Sequence, residues 1–205
     1  VMVMRLTSDS KKGKLSRIIS LESLHTDKTI TADGHTITMT GYPTPVSGDK
    51  RVGDAWKNGL KYAQQLVVKN KGGKISVVDG TKLKVEDADE IIVLMSAATN
   101  YVQCMDDSYN YFSQEDPLEK VQATLHKVAD KKYTALLATH QKDYHSLYDR
   151  MRLNLGNLPE APVAPTDSLL KGMDENTNSE QENQYLEMLY FQFGRYLLIS
   201  SSREG

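Results

Sequence analysis

The stretch Tyr185-Leu-Glu-Met-Leu-Tyr-Phe-Gln-Phe-Gly-Arg-Tyr-Leu-Leu-Ile199 places apolar side chains at eleven of its fifteen positions. At 3.6 residues per turn these side chains cover nearly the whole circumference of a helix, and such a helix needs protein on every side. Gln192 and Arg195 interrupt the run, which falls short of the about 18 apolar residues wanted for a bilayer span. The pattern therefore predicts a central helix of a large helical domain over 184–202, whose packing partners are further helices encoded downstream.

The start of the chain leads to the same expectation. Val1–Ser8 begins inside a strand-like run, without an initiator methionine or a signal peptide. We therefore interpret the sequence as an internal piece of a longer protein, so the absence of a targeting segment indicates nothing about location.

The composition excludes several classes of partner and site. With 25 basic and 27 acidic residues the formal charge is −2, and no Lys/Arg block exceeds two or three residues. This predicts neither a nucleic-acid partner nor an anionic membrane surface. The single cysteine, Cys104, excludes an internal disulfide framework and a cysteine-based zinc site. A small buried residue explains Cys104 better than a nucleophile does.

Residues 1–101 have the pattern of antiparallel β structure. Alternating residues flank Asp33-Gly34 and again Asp79-Gly80, which predicts two hairpins. Strands are also predicted for Val1–Ser8 and Lys14–Leu21, joined by the polar turn 9–13, and for 59–68. The almost continuously apolar run 90–96 indicates a central strand buried on both faces. Together these strands make about half of a large sandwich.

Helices replace strands after Asn100. Asp116-Pro117 predicts a helix start, with Asp as N-cap and Pro at the first helical position. A second helix is predicted from Lys132 to Met151, followed by a short strand at Arg152–Leu155. The proline-rich connector 158–165 is expected to be extended. Beyond it we expect a short helix at 166–172 and an exposed polar stretch at 172–182.

Candidate acid–base groups cluster on the second predicted helix. His140 neighbours Asp143 and Tyr144, whereas His145 lies about 140° round the helix from His140, which excludes a paired zinc face. A His–Asp dyad that performs acid–base catalysis would need a nucleophile or a substrate cleft nearby, and the sequence indicates neither. We therefore favour packing and surface hydrogen bonding for these groups.

The acidic pairs Asp106-Asp107 and Glu115-Asp116 are compatible with sugar hydrolysis, which uses two carboxylates. Adjacent residues of an extended loop point in different directions, however, whereas an inverting pair stands about 6.5–9.5 Å apart. Helix capping explains Asp116 better, and a solvated loop explains the others.

Three aromatic residues are candidates for contact with a sugar ring or another planar ligand. They are Trp56, in a loop rich in Gly, Pro and Asp, and the neighbouring Tyr42 and Tyr62. Packing under the loop is the alternative, and the sequence favours it. Lys71-Gly-Gly-Lys74 lacks the spacing of a phosphate loop. From the residues alone we assign no catalytic, cofactor-binding or metal-binding position, and we expect no cofactor.

Two positions near the end of the chain each have two interpretations. Gly194 lies within the last predicted helix, where a glycine costs about 1 kcal/mol against alanine, and this is tolerable where another backbone comes close. The polar run Ser200–Arg203 could face a cleft or be an ordinary helix end.

Four segments read together resemble one family, glycoside hydrolase family 95, the α-L-fucosidases and related α-L-galactosidases. Two short segments carry little specificity alone: Gly59-Leu-Lys-Tyr62 and Leu94-Met-Ser-Ala-Ala-Thr-Asn-Tyr101. The two longer segments are the specific ones: His140-Gln-Lys-Asp-Tyr-His-Ser-Leu-Tyr-Asp-Arg-Met-Arg-Leu-Asn-Leu-Gly156 and Tyr190-Phe-Gln-Phe-Gly-Arg-Tyr-Leu-Leu-Ile-Ser-Ser-Ser-Arg203. The chain departs from the family pattern at Asn154, where aspartate is usual, and at Glu204, where proline is more common. These departures indicate a divergent member whose sugar preference stays open.

The resemblance implies an α+β architecture. Residues 1–101 would be the C-terminal half of an N-terminal β super-sandwich, 102–165 a helical linker, and 166–205 the start of an (α/α)6 catalytic barrel whose remaining helices would pack on 184–202. It also implies inverting hydrolysis of terminal α-L-fucosyl or α-L-galactosyl linkages in an oligosaccharide or polysaccharide. The family's catalytic residues lie in barrel segments beyond Gly205, so none is carried onto this chain, which we expect to be inactive alone.

The family's polysaccharide targets imply a periplasmic or secreted location. The competing hypothesis is a non-catalytic carbohydrate-binding or protein-interaction module with a C-terminal helix that docks a partner. The sequence encoded downstream of Gly205 discriminates between them, because further helical pairs favour the hydrolase.

Overall fold

The computed structural model describes residues 1–8, 14–43, 59–102, 112–156 and 164–202. These residues form eight β-strands and four α-helices, which confirms the predicted α+β class. The chain divides into two compact units, Val1–Tyr133 and Thr134–Gly205. Cys104, Trp56, Asp106-Asp107, Arg203, Glu204, the turn 9–13 and most of the connector 158–165 lie outside the described residues.

The strands of the first unit form two antiparallel sheets. The five-stranded sheet has the order β1 (Met2–Thr7), β8 (Glu90–Thr99), β5 (Tyr62–Lys71), β4 (Thr36–Gly41) and β3 (Lys28–Asp33). The three-stranded sheet has the order β2 (Leu15–Ile19), β7 (Lys82–Ala88) and β6 (Lys74–Val78). Consecutive strands β1 and β2 thus lie in different sheets.

Both predicted hairpins are confirmed. In β3–β4 Asp33 pairs with Thr36, and the turn begins at Gly34 with a φ of 54°. In β6–β7 Val78 pairs with Lys82, and Asp79 and Gly80 have φ values of 53° and 63°. Asp and Gly adopt this left-handed conformation more readily than other residues, which is why this sequence turns here.

The two sheets enclose one apolar core, as expected of a β-sandwich. Buried side chains from both sheets meet there: Leu15, Ile37, Leu66, Val68, Leu83, Val85, Ala88 and Ile91. A direct backbone hydrogen bond of 2.7 Å also joins the sheets, from the amide of Ala32 to the carbonyl of Gly80.

The strand β8 is buried on both faces, as its apolar run predicts. Ile91 belongs to the sandwich core. Leu94 is three residues further along, so it lies on the opposite face of the strand, and it is also buried. The helix α1 (Pro117–Ala129) packs on β5 and β8 and buries Val121 and Leu125. Asp116 is its N-cap and Pro117 its first residue, which confirms that start.

The second unit contains α2 (Tyr133–Tyr148, which begins at the boundary), α3 (Thr166–Asp174) and α4 (Glu180–Ser201). Leu169 of α3 is buried against Tyr185 and Leu186 of α4. The helix α4 begins four residues before the predicted start because Ser179 and Glu182 form a capping box. No residue of α2 is fully buried.

One expectation for this unit is wrong and another holds for most of its residues. Arg152–Leu155 is not a strand; the side chain of Asn154 instead accepts a hydrogen bond of 3.0 Å from the amide of Gly156, and such local bonds compete with a ladder. Most of the polar stretch 172–182 is exposed, as expected, but not all of it. Gly172 is buried, and the half-buried Asn178 donates to the carbonyl of Leu169 at 2.8 Å. This bond ties the α3–α4 connection to α3.

None of the helices in the described ranges combines the length and the apolar character that crossing a membrane requires.

Candidate functional site

A cleft of about 180 Å³ opens in the first unit, at the edge of the five-stranded sheet where α1 begins. We call it the tyrosine cleft, because Tyr42 and Tyr62 line it together with Asp27, Gly41, Lys61 and Asp116. Two of the three aromatic residues singled out from the sequence therefore meet at one site. The third, Trp56, lies outside the described residues.

The backbone around Gly41 shapes this cleft. Gly41 pairs with Tyr62 on β5 and with Lys28 on β3, and the amide of Tyr42 donates to the carbonyl of Asp27 at 3.0 Å. A Cβ on Gly41 would lie 2.2 Å from that carbonyl oxygen and 2.9 Å from the Tyr62 hydroxyl. Only glycine lets these segments approach so closely.

Tyr62 carries an unsatisfied polar group. Its ring packs against the ring of His25, with centroids 5.6 Å apart. Among the buried side-chain nitrogen and oxygen atoms of the described residues, the Tyr62 hydroxyl is the one without a hydrogen-bond partner. Leaving such a group unpaired costs about 1–3 kcal/mol. A buried hydroxyl without a partner needs a physical explanation, of which a bound ligand or water is one.

A buried asparagine, Asn100, holds the backbone at Lys61, which lines the cleft. The side-chain amide of Asn100 donates to the carbonyls of Gly59 at 2.9 Å and Ser113 at 3.2 Å, and its oxygen accepts from the amide of Lys61 at 2.7 Å. Asn100 thereby fixes three segments, one of which carries Lys61 into the cleft. Sequence reasoning missed this residue, although it belongs to a segment quoted for the family resemblance.

Among the described residues, those that line the cleft carry two carboxylates and one ammonium group. Asp27 and Asp116 contribute the negative charges and Lys61 the positive one. One oxygen of Asp116 accepts the amide of Leu118 at 2.9 Å, which confirms the predicted capping role. The lining therefore has a formal charge of −1 and many donors and acceptors for hydroxyl groups.

A second surface lies in the other unit, on α4. A groove of about 390 Å³ is lined by Glu187, Tyr190, Phe191, Gly194, Arg195 and Leu198. We call it the α4 groove. Tyr190 is 80% exposed and Leu198 65% exposed, although both are large and apolar. The described residues thus leave uncovered much of the helix that the sequence predicts to be surrounded by protein.

Arg195 fixes one side of this groove. Its guanidinium lies 4.4 Å from the ring centroid of Tyr148 and 5.9 Å from that of Phe191, and it also donates to the carbonyl of Tyr148. The ring centroid of Tyr144 in turn lies 6.3 Å from the ring centroid of Tyr196. The end of α2 and the middle of α4 are thereby joined through aromatic and cation–π contacts.

The histidines of α2 occupy surface positions. His140 stacks on Tyr144 with centroids 6.4 Å apart, and the Nδ1 of His145 lies 3.2 Å from a carboxylate oxygen of Asp149. The His145–Asp149 pair was not singled out from the sequence, although its four-residue spacing is a signal for such a pair. Both side chains are more than half exposed, so the pair lacks the enclosure of an acid–base site. In the described part of the chain no group of three or more His, Cys, Asp or Glu residues could hold a metal ion.

Comparison with known proteins matches both parts of the chain to domains of glycosyl hydrolases. Residues 1–104 match the glycosyl hydrolase family 65, N-terminal domain, and residues 132–205 match the glycosyl hydrolase family 95 catalytic domain. The boundaries expected from the sequence, 1–101, 102–165 and 166–205, stay predictions.

Named relatives match along almost the whole chain. "Alpha-L-fucosidase 2" of Arabidopsis thaliana is 33% identical over 211 residues, which cover 96% of this chain and 24% of that protein. "Probable alpha-fucosidase A" of Aspergillus niger is 29% identical over 211 residues, which cover 100% of this chain and 24% of that protein. The chain thus spans about a quarter of the length of these relatives. Residues 1–104, about half of the chain, therefore belong to the glycosyl hydrolase family 65 N-terminal domains, and the chain as a whole is similar to glycoside hydrolases of family 95.

Proposed function

We propose that this chain is part of a glycoside hydrolase that removes terminal α-L-fucosyl or α-L-galactosyl units from an oligosaccharide or polysaccharide, with inversion of configuration. Two relatives that match almost the whole chain carry the name of a fucosidase, and the family model for the catalytic domain matches residues 132–205. In this proposal the groups that perform the hydrolysis are supplied from sequence beyond Gly205, and the protein acts in the periplasm or outside the cell.

The observation that carries the proposal is the uncovered face of α4. Tyr190, Phe193 and Leu198 are each more than half exposed, yet the helix lies within the segment that matches the catalytic domain. Large apolar side chains gathered on one exposed face mark a surface that another element covers. We infer that further helices of the (α/α)6 barrel fill the α4 groove and that residues 166–205 begin that barrel.

The activity test compares the full-length protein with the 205-residue chain. We expect the full-length protein to release L-fucose or L-galactose from aryl α-L-glycosides, with the β anomer appearing first in the proton NMR spectrum. The 205-residue chain should release neither sugar. Hydrolysis by that chain alone, or α anomer as the first product, would contradict the proposal.

The packing of α4 has its own test, with a matched control. Leu198→Glu places a charge in the α4 groove, whereas Leu170→Glu places it on α3, where Leu170 is 54% exposed and lies outside the groove. In the full-length protein Leu198→Glu should lower the melting temperature and the activity because it buries an unpaired charge. Leu170→Glu should change neither. Equal behaviour of the two variants would show that no barrel helix covers the groove.

A further inference from the structure

We propose that the tyrosine cleft binds one neutral sugar unit of the carbohydrate substrate, as a non-catalytic subsite on the N-terminal domain. The choice of a sugar as ligand rests on the proposed function; the existence of a binding site rests on the cleft itself. Tyr42 and Tyr62 bring aromatic rings to the lining, while Asp27, Lys61 and Asp116 bring charged hydrogen-bonding groups. Small-molecule sites combine apolar or aromatic walls with a few polar groups in this way.

The unpaired hydroxyl of Tyr62 is an independent observation that indicates a ligand. It is buried without a partner, next to Gly41, which also lines the cleft. A phenolic hydroxyl both donates and accepts, as does each hydroxyl of a sugar. A sugar hydroxyl that enters beside Gly41 after a small movement of the wall would supply the missing partner.

Charge and size restrict the ligand to a neutral single unit. The described part of the lining carries two carboxylates against one ammonium group, which disfavours uronates and sulfated or phosphorylated sugars. The volume of about 180 Å³ is below the 300–1,000 Å³ typical of sites for drug-sized ligands. One pyranose unit suits this space, and the rest of the glycan would extend into solvent.

The binding test uses Lys61 as a reporter in the full-length protein. Lysines are acetylated with a limiting amount of reagent and read by mass spectrometry, with Lys82, an exposed lysine of β7 outside the cleft, as the internal control. Methyl α-L-fucopyranoside, methyl β-D-galactopyranoside and methyl β-D-glucopyranoside serve as probes, and methyl β-D-glucuronide serves as the anionic comparison. We expect at least one neutral glycoside to protect Lys61 at millimolar concentration without protecting Lys82, and the glucuronide to protect neither.

Substitutions then separate binding from folding. Tyr62→Phe removes only the unpaired hydroxyl, so the melting temperature should stay the same or rise while the affinity for the protecting glycoside falls roughly tenfold. Tyr133→Phe, a half-buried tyrosine outside the cleft, should leave both unchanged. Lys61→Met should weaken binding where Lys82→Met does not.

Three results would overturn the subsite. They are failure of every neutral glycoside to protect Lys61, an affinity unchanged in Tyr62→Phe, and a Lys61 that does not react in the absence of sugar while Lys82 does. The last would mean that another part of the protein covers the cleft. The control variants Tyr133→Phe and Lys82→Met should keep the hydrolysis of a small aryl glycoside unchanged. Protection of Lys61 and affinity are measured without turnover, so loss of the proposed activity and loss of the subsite are recognised separately.

Discussion

The ammonium group of Lys69, on β5, donates a hydrogen bond of 2.6 Å to the backbone carbonyl of Ala129, the last residue of α1. The last carbonyls of a helix have no partner within the helix and carry partial negative charge. A lysine from the sheet therefore caps the helix that covers the sheet, and it fixes the end of α1 over β5.

Replacing Lys69 by methionine should destabilise the first unit by about 1–2 kcal/mol, because the carbonyl loses a charged donor. Urea denaturation measures the free energy of unfolding, and amide hydrogen exchange should show faster opening of the last turn of α1. Lys71→Met is the matched control, since Lys71 lies on the same strand and is exposed. Similar losses in both variants would show that the bond to Ala129 contributes nothing specific.

The start of α4 should depend on pH through Glu182. Its carboxylate accepts the amide of Ser179 at 2.7 Å and the hydroxyl at 2.8 Å, and these bonds, the backbone one first, lower the pKa of Glu182 below the usual 4.5. The pKa of Glu182 is therefore lower in the folded protein than in the unfolded protein. The stabilisation of the α4 start is complete when the pH is above the unfolded pKa, and it is lost as the pH falls through the folded pKa.

Hydrogen exchange at the first turn of α4 should therefore accelerate, relative to its intrinsic rate, when the pH falls from about 5 to about 3. Glu182→Gln should remove this pH dependence, because glutamine keeps a capping geometry without titrating. Glu180→Gln, in the same turn but outside the capping box, should retain it. Ser179→Ala should cost about 1 kcal/mol at neutral pH. A pH response that persists in Glu182→Gln would assign it to another group.

Asn100 should be the most sensitive position around the tyrosine cleft. Asn100→Ala leaves the amide of Lys61 and the carbonyls of Gly59 and Ser113 without this partner, so we expect a loss of about 2–4 kcal/mol. Asn70→Ala is the control, because its side chain makes a local bond to the carbonyl of Gly72, and it should cost less than about 1 kcal/mol. Chemical denaturation of both variants measures the free energy of unfolding. A smaller loss in Asn100→Ala than in Asn70→Ala would contradict the role of Asn100 in fixing the three backbone segments.

The sequence predicted those parts of the fold that depend on local chemistry. The turns at Gly34 and Asp79-Gly80, the alternation in the strands beside them, and the Asp116-Pro117 helix start each follow from a few neighbouring residues. Pairing of β1 with β8 and of β2 with β7 joins residues more than sixty positions apart, and no local signal specifies such partners. The strand expected at Arg152–Leu155 is absent for a local reason. The side chain of Asn154 bonds to the amide of Gly156, and this favours a turn over a strand.

The tyrosine cleft could be predicted only in part. Tyr42 and Tyr62 were recognisable as aromatic candidates because they flank a loop rich in glycine and proline. Asp27 and Asp116 line one cleft only when α1 is laid on the sheet, and no periodicity in the sequence indicates this. The unpaired hydroxyl of Tyr62 is a property of packing, so a sequence cannot reveal it.

Gly194 gives a prediction whose sign depends on the protein in which it is measured. In the described structure, apart from the chain neighbours of Gly194 and the backbone of α4 itself, no atom lies within 4 Å of a Cβ added at Gly194. In the 205-residue chain Gly194→Ala should therefore stabilise α4 by about 1 kcal/mol, through helix propensity alone. In the full-length protein the same change should destabilise, because the proposal places a barrel helix against the α4 groove, and overpacking there costs about 1–3 kcal/mol. Gly172→Ala should destabilise both, since its Cβ would lie 1.8 Å from the side-chain oxygen of Asn178. Circular dichroism melts of the four variant proteins measure these signs, and stabilisation by Gly194→Ala in both lengths would refute close packing at this position.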